Sequence, residues 1–441
     1  MSGPRRSAAQ FAPAAFALAL AAGGCARTGG DGVTLRFWAM GREGEVVAEL
    51  VRDFEREHPG VRVEVQQIPW SAAHEKLLTG YVGGSTPDIT QLGNTWIAEF
   101  AALNALEPLD TRMSASGGTA DTSWFPGILE TNVVDGVTYG VPWYVDTRVL
   151  FYRKDLLARA GYDRMPHTWR EWKEALHAIK GVVGEHRYGV FLPTNEFMQP
   201  VIFGLQNRSP LLAEHGTRGA FSEPAFRRAF EFYVELFREG LAPPIGNAEI
   251  ANMYQEFARG YFAMMITGPW NLGEFARRLP DSLSDAWGTA PLPGPDGPGE
   301  SIAGGSSLVL MRGSKHKAEA WRLVEFLSRP DVQVRFWELT GDLPARVEAW
   351  DDPALAADPR VAAFREQLER AVPAPRVPEW EQIANLLQDR AEAVIRGAVP
   401  LDTALVRFDR DVDRLLEKRR WMLEREGIGA AAPARAGGPA G

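Results

Sequence analysis

Few side-chain arrangements in this chain could attack or transfer a group. The seven histidines (His58, His74, His167, His177, His186, His215, His316) show no metal-binding spacing such as HExxH. There is no phosphate-cradling glycine loop, no dinucleotide-binding glycine fingerprint after a strand and no GxSxG elbow; Gly304-Gly305-Ser306-Ser307 lacks the elbow pattern. Carboxylates are plentiful, yet no spacing among them defines the pair a glycosidase needs. A different set draws the eye: Met40–Glu45, Trp70, Gly93–Trp96, Trp143–Thr147 and Trp270, each expected just after a strand. Aromatic faces beside carboxylates and amides suit the capture of a ligand. The residues therefore favour a binder over an enzyme.

The elements that must position them follow from hydrophobic spacing. Val33–Ala39 reads as a strand, and Val46, Val47, Leu50, Val51 and Phe54 recur at helical spacing until Pro59-Gly60 stops the helix. Val61, Val63 and Val65 alternate with polar residues as a strand does. A helix over Ala72–Tyr81, a Gly/Ser/Pro turn and a strand over Asp88–Leu92 complete a βαβ pattern with parallel strands. In such sheets ligands bind beyond the carboxyl ends of the strands. The pattern restarts after Pro142, with a strand at Val149–Tyr152 and a capping box, Thr168–Glu171, opening a helix. Phe226, Phe230, Tyr233 and Phe237 form one face of a helix and read as core. Tyr261–Thr267 is a buried strand, Pro291–Gly305 a Gly- and Pro-rich loop, Ser307–Met311 a strand, and Asp358–Glu426 is mostly helical.

The start of the chain speaks of location. Arg5 and Arg6 precede the uncharged run Phe11–Ala22, the form of a secretory signal peptide over residues 1–24. Ala22-Gly-Gly-Cys25 resembles the lipobox of bacterial lipoproteins, which implies that Cys25 is diacylated and becomes the mature N-terminus; an ordinary signal peptide with an incidental cysteine is the plainer alternative. Cys25 is the only cysteine, so disulfides, thiolate metal sites and a cysteine nucleophile are excluded from the body. Residues 25–32 form a tether and 427–441 an Ala/Gly/Pro tail expected to be disordered. The formal charge of −9 becomes −11 once residues 1–24, with two arginines and no acid, are removed. That balance argues against nucleic acid as a partner and leaves membrane attachment to the lipid. Roughly 415 remaining residues predict two lobes.

Four segments, taken in order, resemble one family. Tyr139-Gly-Val-Pro-Trp-Tyr-Val-Asp146 through Leu156, Phe257 through Gly268-Pro-Trp270, Ser85-Thr-Pro-Asp88 and Gly341-Asp-Leu-Pro-Ala-Arg346 are similar to stretches of bacterial extracellular solute-binding proteins serving carbohydrate importers. The resemblance spans about residues 33–425 and is strongest to maltose- and trehalose-binding lipoproteins. It implies an α/β fold of two lobes, of the class II periplasmic-binding-protein type, with a hinge and an interlobe cleft. Lobe 1 is expected from 33–142 and 291–345, and lobe 2 from 143–290 and 346–426. The implied protein is a monomer without cofactor or metal, outside the cytoplasm on a lipid anchor, that hands a di- or oligosaccharide to permease subunits of an ATP-binding-cassette importer.

The resemblance also suggests which residues meet the sugar. Trp270 matches the family's stacking tryptophan, and Asp146, flanked by Trp143 and Tyr144, matches an acidic residue that binds hydroxyls. Asn94 and Thr95 stand where several relatives carry an aspartate. Glu43 is a further hydrogen-bonding candidate, with helix N-terminal charge an equal explanation. Gly305 and Ser306 offer backbone N–H groups, Arg346 a guanidinium fork, and Trp380 and Trp70 more remote aromatic faces. Two rivals remain open on sequence alone: a secreted glycoside hydrolase, and a same-fold binder of polyamine, iron or glycerol phosphate.

Overall fold

The computed structural model describes residues 32–116 and 123–425. The signal peptide, Cys25, nearly all of the tether and the tail lie outside the described residues. The first βαβ pattern forms as expected: β1 (Val33–Met40), the helix Gly41–Glu57, β2 (Val61–Ile68), the helix Trp70–Val82 and β3 (Ile89–Gly93). β1 pairs in parallel with both β2 and β3. A short hairpin, β4 (Val133–Val134) and β5 (Val137–Thr138), precedes β6 (Val141–Asp146). Then come β7 (Val149–Arg153), β8 (Tyr188–Phe191), a second hairpin of β9 (Leu212–Ala213) and β10 (Arg218–Gly219), β11 (Phe262–Thr267) and β12 (Trp287–Ala290). β13 (Ser301–Leu310), β14 (Leu343–Pro344) and β15 (Ala371–Pro373) complete the set.

These strands build two principal sheets. The larger runs β14-β6-β13-β3-β1-β2, with β15 alongside the start of β13; the smaller runs β12-β7-β11-β8. Both sheets are mixed rather than purely parallel: β13 is antiparallel to β3 and β6, and β7 to β11 and β12. The chain crosses between sheets at Thr147-Arg148 and returns between β12 and β13. The first crossing corrects the expected boundary at Pro142, because β6 carries Trp143–Asp146 within the larger sheet. Proline normally interrupts a ladder, but here the β13–β6 register slips beside it, pairing Ser306 with Tyr144 and Ser307 with Pro142. A bulge lets the strand continue past a residue that cannot donate. Ser301–Gly305, expected as loop, is the first half of β13. The segment after Ala345 also stays with the larger sheet for several residues, since Trp350 packs edge-on against Phe125 at 5.7 Å and donates from Nε1 to the Pro344 carbonyl at 2.9 Å.

Packing explains the helices. Thr168 and Glu171 form the expected capping box, and Trp169 and Trp172 are buried, with Trp169 stacked on Phe232 at 4.5 Å. Phe226, Phe230, Tyr233 and Phe237 are all buried in the core around the smaller sheet. Trp143 is wholly buried, stacked on Phe336 of the helix Pro330–Thr340 with ring centroids 4.5 Å apart. Replacing Trp143 with alanine should cost about 3–5 kcal/mol of stability. Urea denaturation checks this; an unchanged midpoint would mean the indole is not a packing element.

Candidate ligand-binding cleft

The carboxyl ends of β1, β3 and β6 and the glycines of β13 face the start of the helix Trp270–Arg278, which follows β11 of the other sheet. Between them lies a cleft of about 610 Å³. Pleating decides which side chains reach it. Successive residues of a strand point to opposite faces, so Tyr144 and Asp146 line the cleft while Trp143 enters the core.

The floor is a hydrogen-bonded network. The Tyr144 hydroxyl donates to Glu43 Oε1 at 2.6 Å, and Gln91 Nε2 donates to the Tyr144 hydroxyl at 3.1 Å and to Ser306 Oγ at 3.2 Å. Gln91 Oε1 in turn accepts from the Met40 backbone N–H at 2.7 Å, which ties the network to the end of β1. Trp70 Nε1 also donates to Glu43 Oε1, at 3.3 Å. Burial, then the Glu43 charge, raises the Tyr144 pKa well above its ordinary value, so the phenol keeps its proton. Gly305 makes the floor possible. Its φ is +116°, and a Cβ there would lie 2.3 Å from the Tyr144 carbonyl oxygen, a position open only to glycine.

Across the cleft, Trp270 is 41% exposed and is one of few large aromatic residues left to solvent. The benzo half of its indole packs onto Gly268, where a Cβ would come within 2.0 Å of a ring carbon. Asn271 Nδ2 donates to Thr267 Oγ1 at 2.7 Å and Asn271 Oδ1 accepts from the Tyr254 hydroxyl at 2.9 Å, holding the helix start that carries Trp270. Asp146 is ion-paired with Arg148. Burial raises the Asp146 pKa and the Arg148 charge opposes that rise. Asn94 is buried, its Oδ1 accepting from Ser307 Oγ at 3.2 Å while its Nδ2 has no partner among the described residues.

Eight of the residues expected from sequence meet here: Glu43, Trp70, Asn94, Thr95, Tyr144, Asp146, Trp270 and Gly305. Four do not. Trp143 is core, as described. Ser306 sits beneath Tyr144 and supports it, without lining the cleft. Arg346 forks onto Glu348 at 3.1 and 3.2 Å and lies 5.1 Å from the Trp124 ring, on the far side of β14. Trp380 is buried in the core around the smaller sheet. The sequence reading missed Arg148, Met198, Thr340 and Asp342, while Arg42, within the flagged Met40–Glu45 segment, also lines the cleft. Arg148 was within reach, being two residues beyond Asp146; nothing in the local pattern marked Asp342. A larger hollow of about 710 Å³ lies at the opposite ends of the strands. Of its acids, Asp88 and Glu64, Asp88 is already partnered by the Arg36 backbone N–H and by the Ser314 hydroxyl, and no tryptophan lines the hollow. Among the described residues no cluster could hold a metal ion.

Two α/β lobes with a cleft at their strand ends define a solute-binding protein of the two-lobed class. Residues 40–334 match the family described as bacterial extracellular solute-binding protein, and the chain belongs to it. It is thus a binding protein, not an enzyme. The sugar-binding protein MalE of Xanthomonas citri superposes with a TM-score of 0.87 at 49% identity, covering 90% of this chain and all of that one. The diacetylchitobiose binding protein DasA of Streptomyces coelicolor is 26% identical over 86% of this chain and 89% of its own length. The galactooligosaccharide-binding protein of Bacillus subtilis is 26% identical over 89% of this chain and 93% of its own.

One acid in the cleft has a measurable pH signature. Burial first, and the Glu43 charge second, push the Asp342 pKa up to about 8 from an ordinary 3.8. Asp342 therefore holds a proton near neutrality and can donate into the cleft. A carboxyl whose folded pKa exceeds its unfolded value makes the native state the tighter proton binder. The stability it contributes is complete below about pH 4 and is lost as pH rises through about 8. The raised Asp146 pKa acts in the same sense. Thermal unfolding followed from pH 5 to 9 should show a falling midpoint, and Asp342→Asn should flatten the fall. An equally steep profile in that variant would assign the proton elsewhere.

Proposed function

We infer that this protein captures a neutral di- or oligosaccharide of the maltose or trehalose type and delivers it to the permease of an ATP-binding-cassette importer. One observation carries the reading: the exposed indole of Trp270 stands across a cleft from the acceptors Asp146 and Glu43. Sugars present weakly apolar C–H faces and rims of hydroxyls, which call for an aromatic platform and a fan of fixed polar groups. The carboxylates of Glu43 and Asp146 make an anionic ligand such as a phosphate ester a poor fit. The names of the similar MalE, diacetylchitobiose and galactooligosaccharide binders support the carbohydrate class. The two lobes close over ligand about the crossings at Thr147-Arg148 and between β12 and β13, drawing Trp270 toward Asp146.

A thermal-shift screen of maltose, trehalose, maltotriose and unrelated solutes tests the class. Saturation at 100 times the dissociation constant should stabilise the protein by roughly 2.7 kcal/mol. A binder working near micromolar sugar has about 8 kcal/mol of binding free energy, so losing one good contact should weaken it at least about tenfold. Calorimetry on Trp270→Ala and on Asp146→Asn should show that loss with the fold intact. Unchanged affinity in both would place the site elsewhere.

The mature protein is held at the outer face of a bacterial membrane by the lipid on Cys25. Two acyl chains suffice for stable anchoring. Cys25→Ser should leave the precursor unprocessed or release the protein from the membrane fraction. Processed Cys25→Ser protein that stays in the membrane fraction would reject the lipid anchor.

A further inference from the structure

Trp270 does not present an open ring. The Arg148 guanidinium lies over it, 4.6 Å from the ring centroid, while also ion-pairing with Asp146. Arg148 sits at the crossing between the two sheets, and its backbone is clamped: its N–H donates to Ser301 Oγ at 3.1 Å, and its carbonyl accepts from that hydroxyl at 2.9 Å. Thr147 Oγ1 donates to the Ile302 carbonyl at 2.9 Å, pinning the preceding residue to the same strand. Relative to β13 and Asp146, the guanidinium moves by rotation of its side chain. That side chain is 12% exposed, so it lies folded into the cleft rather than out in solvent.

We propose that Arg148 and the sugar compete for the same face of Trp270, so that binding exchanges a guanidinium for a pyranose ring and Arg148 sets the affinity and selectivity of the cleft. The inference rests on the carbohydrate reading above. A group 4.6 Å from a ring centroid fills the layer of van der Waals contact, where atoms sit about 3.5–4 Å apart. A sugar cannot enter that layer while the guanidinium remains. The exchange selects ligands. A solute gains only if its apolar face covers the indole better than a cation does, which a pyranose with axial C–H groups can and a small polyol cannot. Asp146 keeps the displaced guanidinium close, so it returns when the ligand leaves.

The test follows both the residue and the affinity. In the full-length mature protein the side-chain protons of Arg148 should show upfield ring-current shifts by NMR, and Trp270→Ala should abolish them. Saturating maltose, or whichever of maltose, trehalose and maltotriose binds the parent, should also remove them. Arg148→Lys keeps a cation within reach of Asp146 but loses the planar fork that stacks. It should bind the same sugar about two- to fivefold more tightly, the size of one exposed cation–π contact. Arg148 shifts that persist at saturation, or unchanged or weaker binding by Arg148→Lys, would overturn the competition while leaving the carbohydrate reading in place. Failure of the parent to bind any sugar of the panel would overturn both.

Discussion

The site depends on β13 lying between β3 and β6. That one strand pairs antiparallel along the whole of β3 on one edge and along β6 from Val141 to Asp146 on the other, and its first residues pair with β15. It thereby sets Tyr144 against Glu43, groups separated by about a hundred residues of chain, within hydrogen-bonding distance of Gln91. The close approach is permitted by Gly305, whose backbone conformation and contact with the Tyr144 carbonyl leave no room for a side chain. A conformational liability in an ordinary strand is here the condition for a connected polar floor. The network is satisfied on nearly every side; beside it, the buried Asn94 Nδ2 has no partner among the described residues.

Much of this was legible from sequence. Helical and alternating spacing placed β1, β2, β3 and the intervening helices to within a few residues; the helix Gly41–Glu57 buries one clear stripe, whereas β3 is buried on both faces. The Thr168 capping box and the Phe226–Phe237 stripe behaved as local chemistry demands. What failed was non-local. Pro142 looked like a boundary, and only the partner strand reveals the bulge that carries β6 past it. Gly304-Gly305 looked like loop, and only the nearness of Tyr144 gives those glycines their purpose.

Among candidate residues the error at Trp143 has a plain cause. Trp143, Tyr144 and Asp146 were grouped by proximity in sequence, yet a pleated strand sends neighbours to opposite faces. Alternation applied strictly would have sent Trp143 to the core, kept Tyr144 and Asp146, and drawn attention to Arg148. Asp342 had no such signal. It reaches the cleft because β14 pairs with β6, a long-range registration that local pattern does not encode.

The electrostatics of the cleft then follow from who is paired. Glu43 is held by Tyr144, Gln91 and Trp70, and Asp146 by Arg148. Asp342 has neither a cation nor a comparable set of donors, and it lies in the field of Glu43 and Asp146, so the least costly response is to keep its proton. The cleft therefore offers acceptors at Glu43 and Asp146 and a donor at Asp342, fixed on separate strand ends. A hydroxyl both donates and accepts, so a sugar can satisfy both kinds of group without bringing a charge into the cleft. The same division explains why Arg148 matters beyond its ion pair. Its backbone is held to β13 while its guanidinium lies between the Asp146 carboxylate and the Trp270 ring.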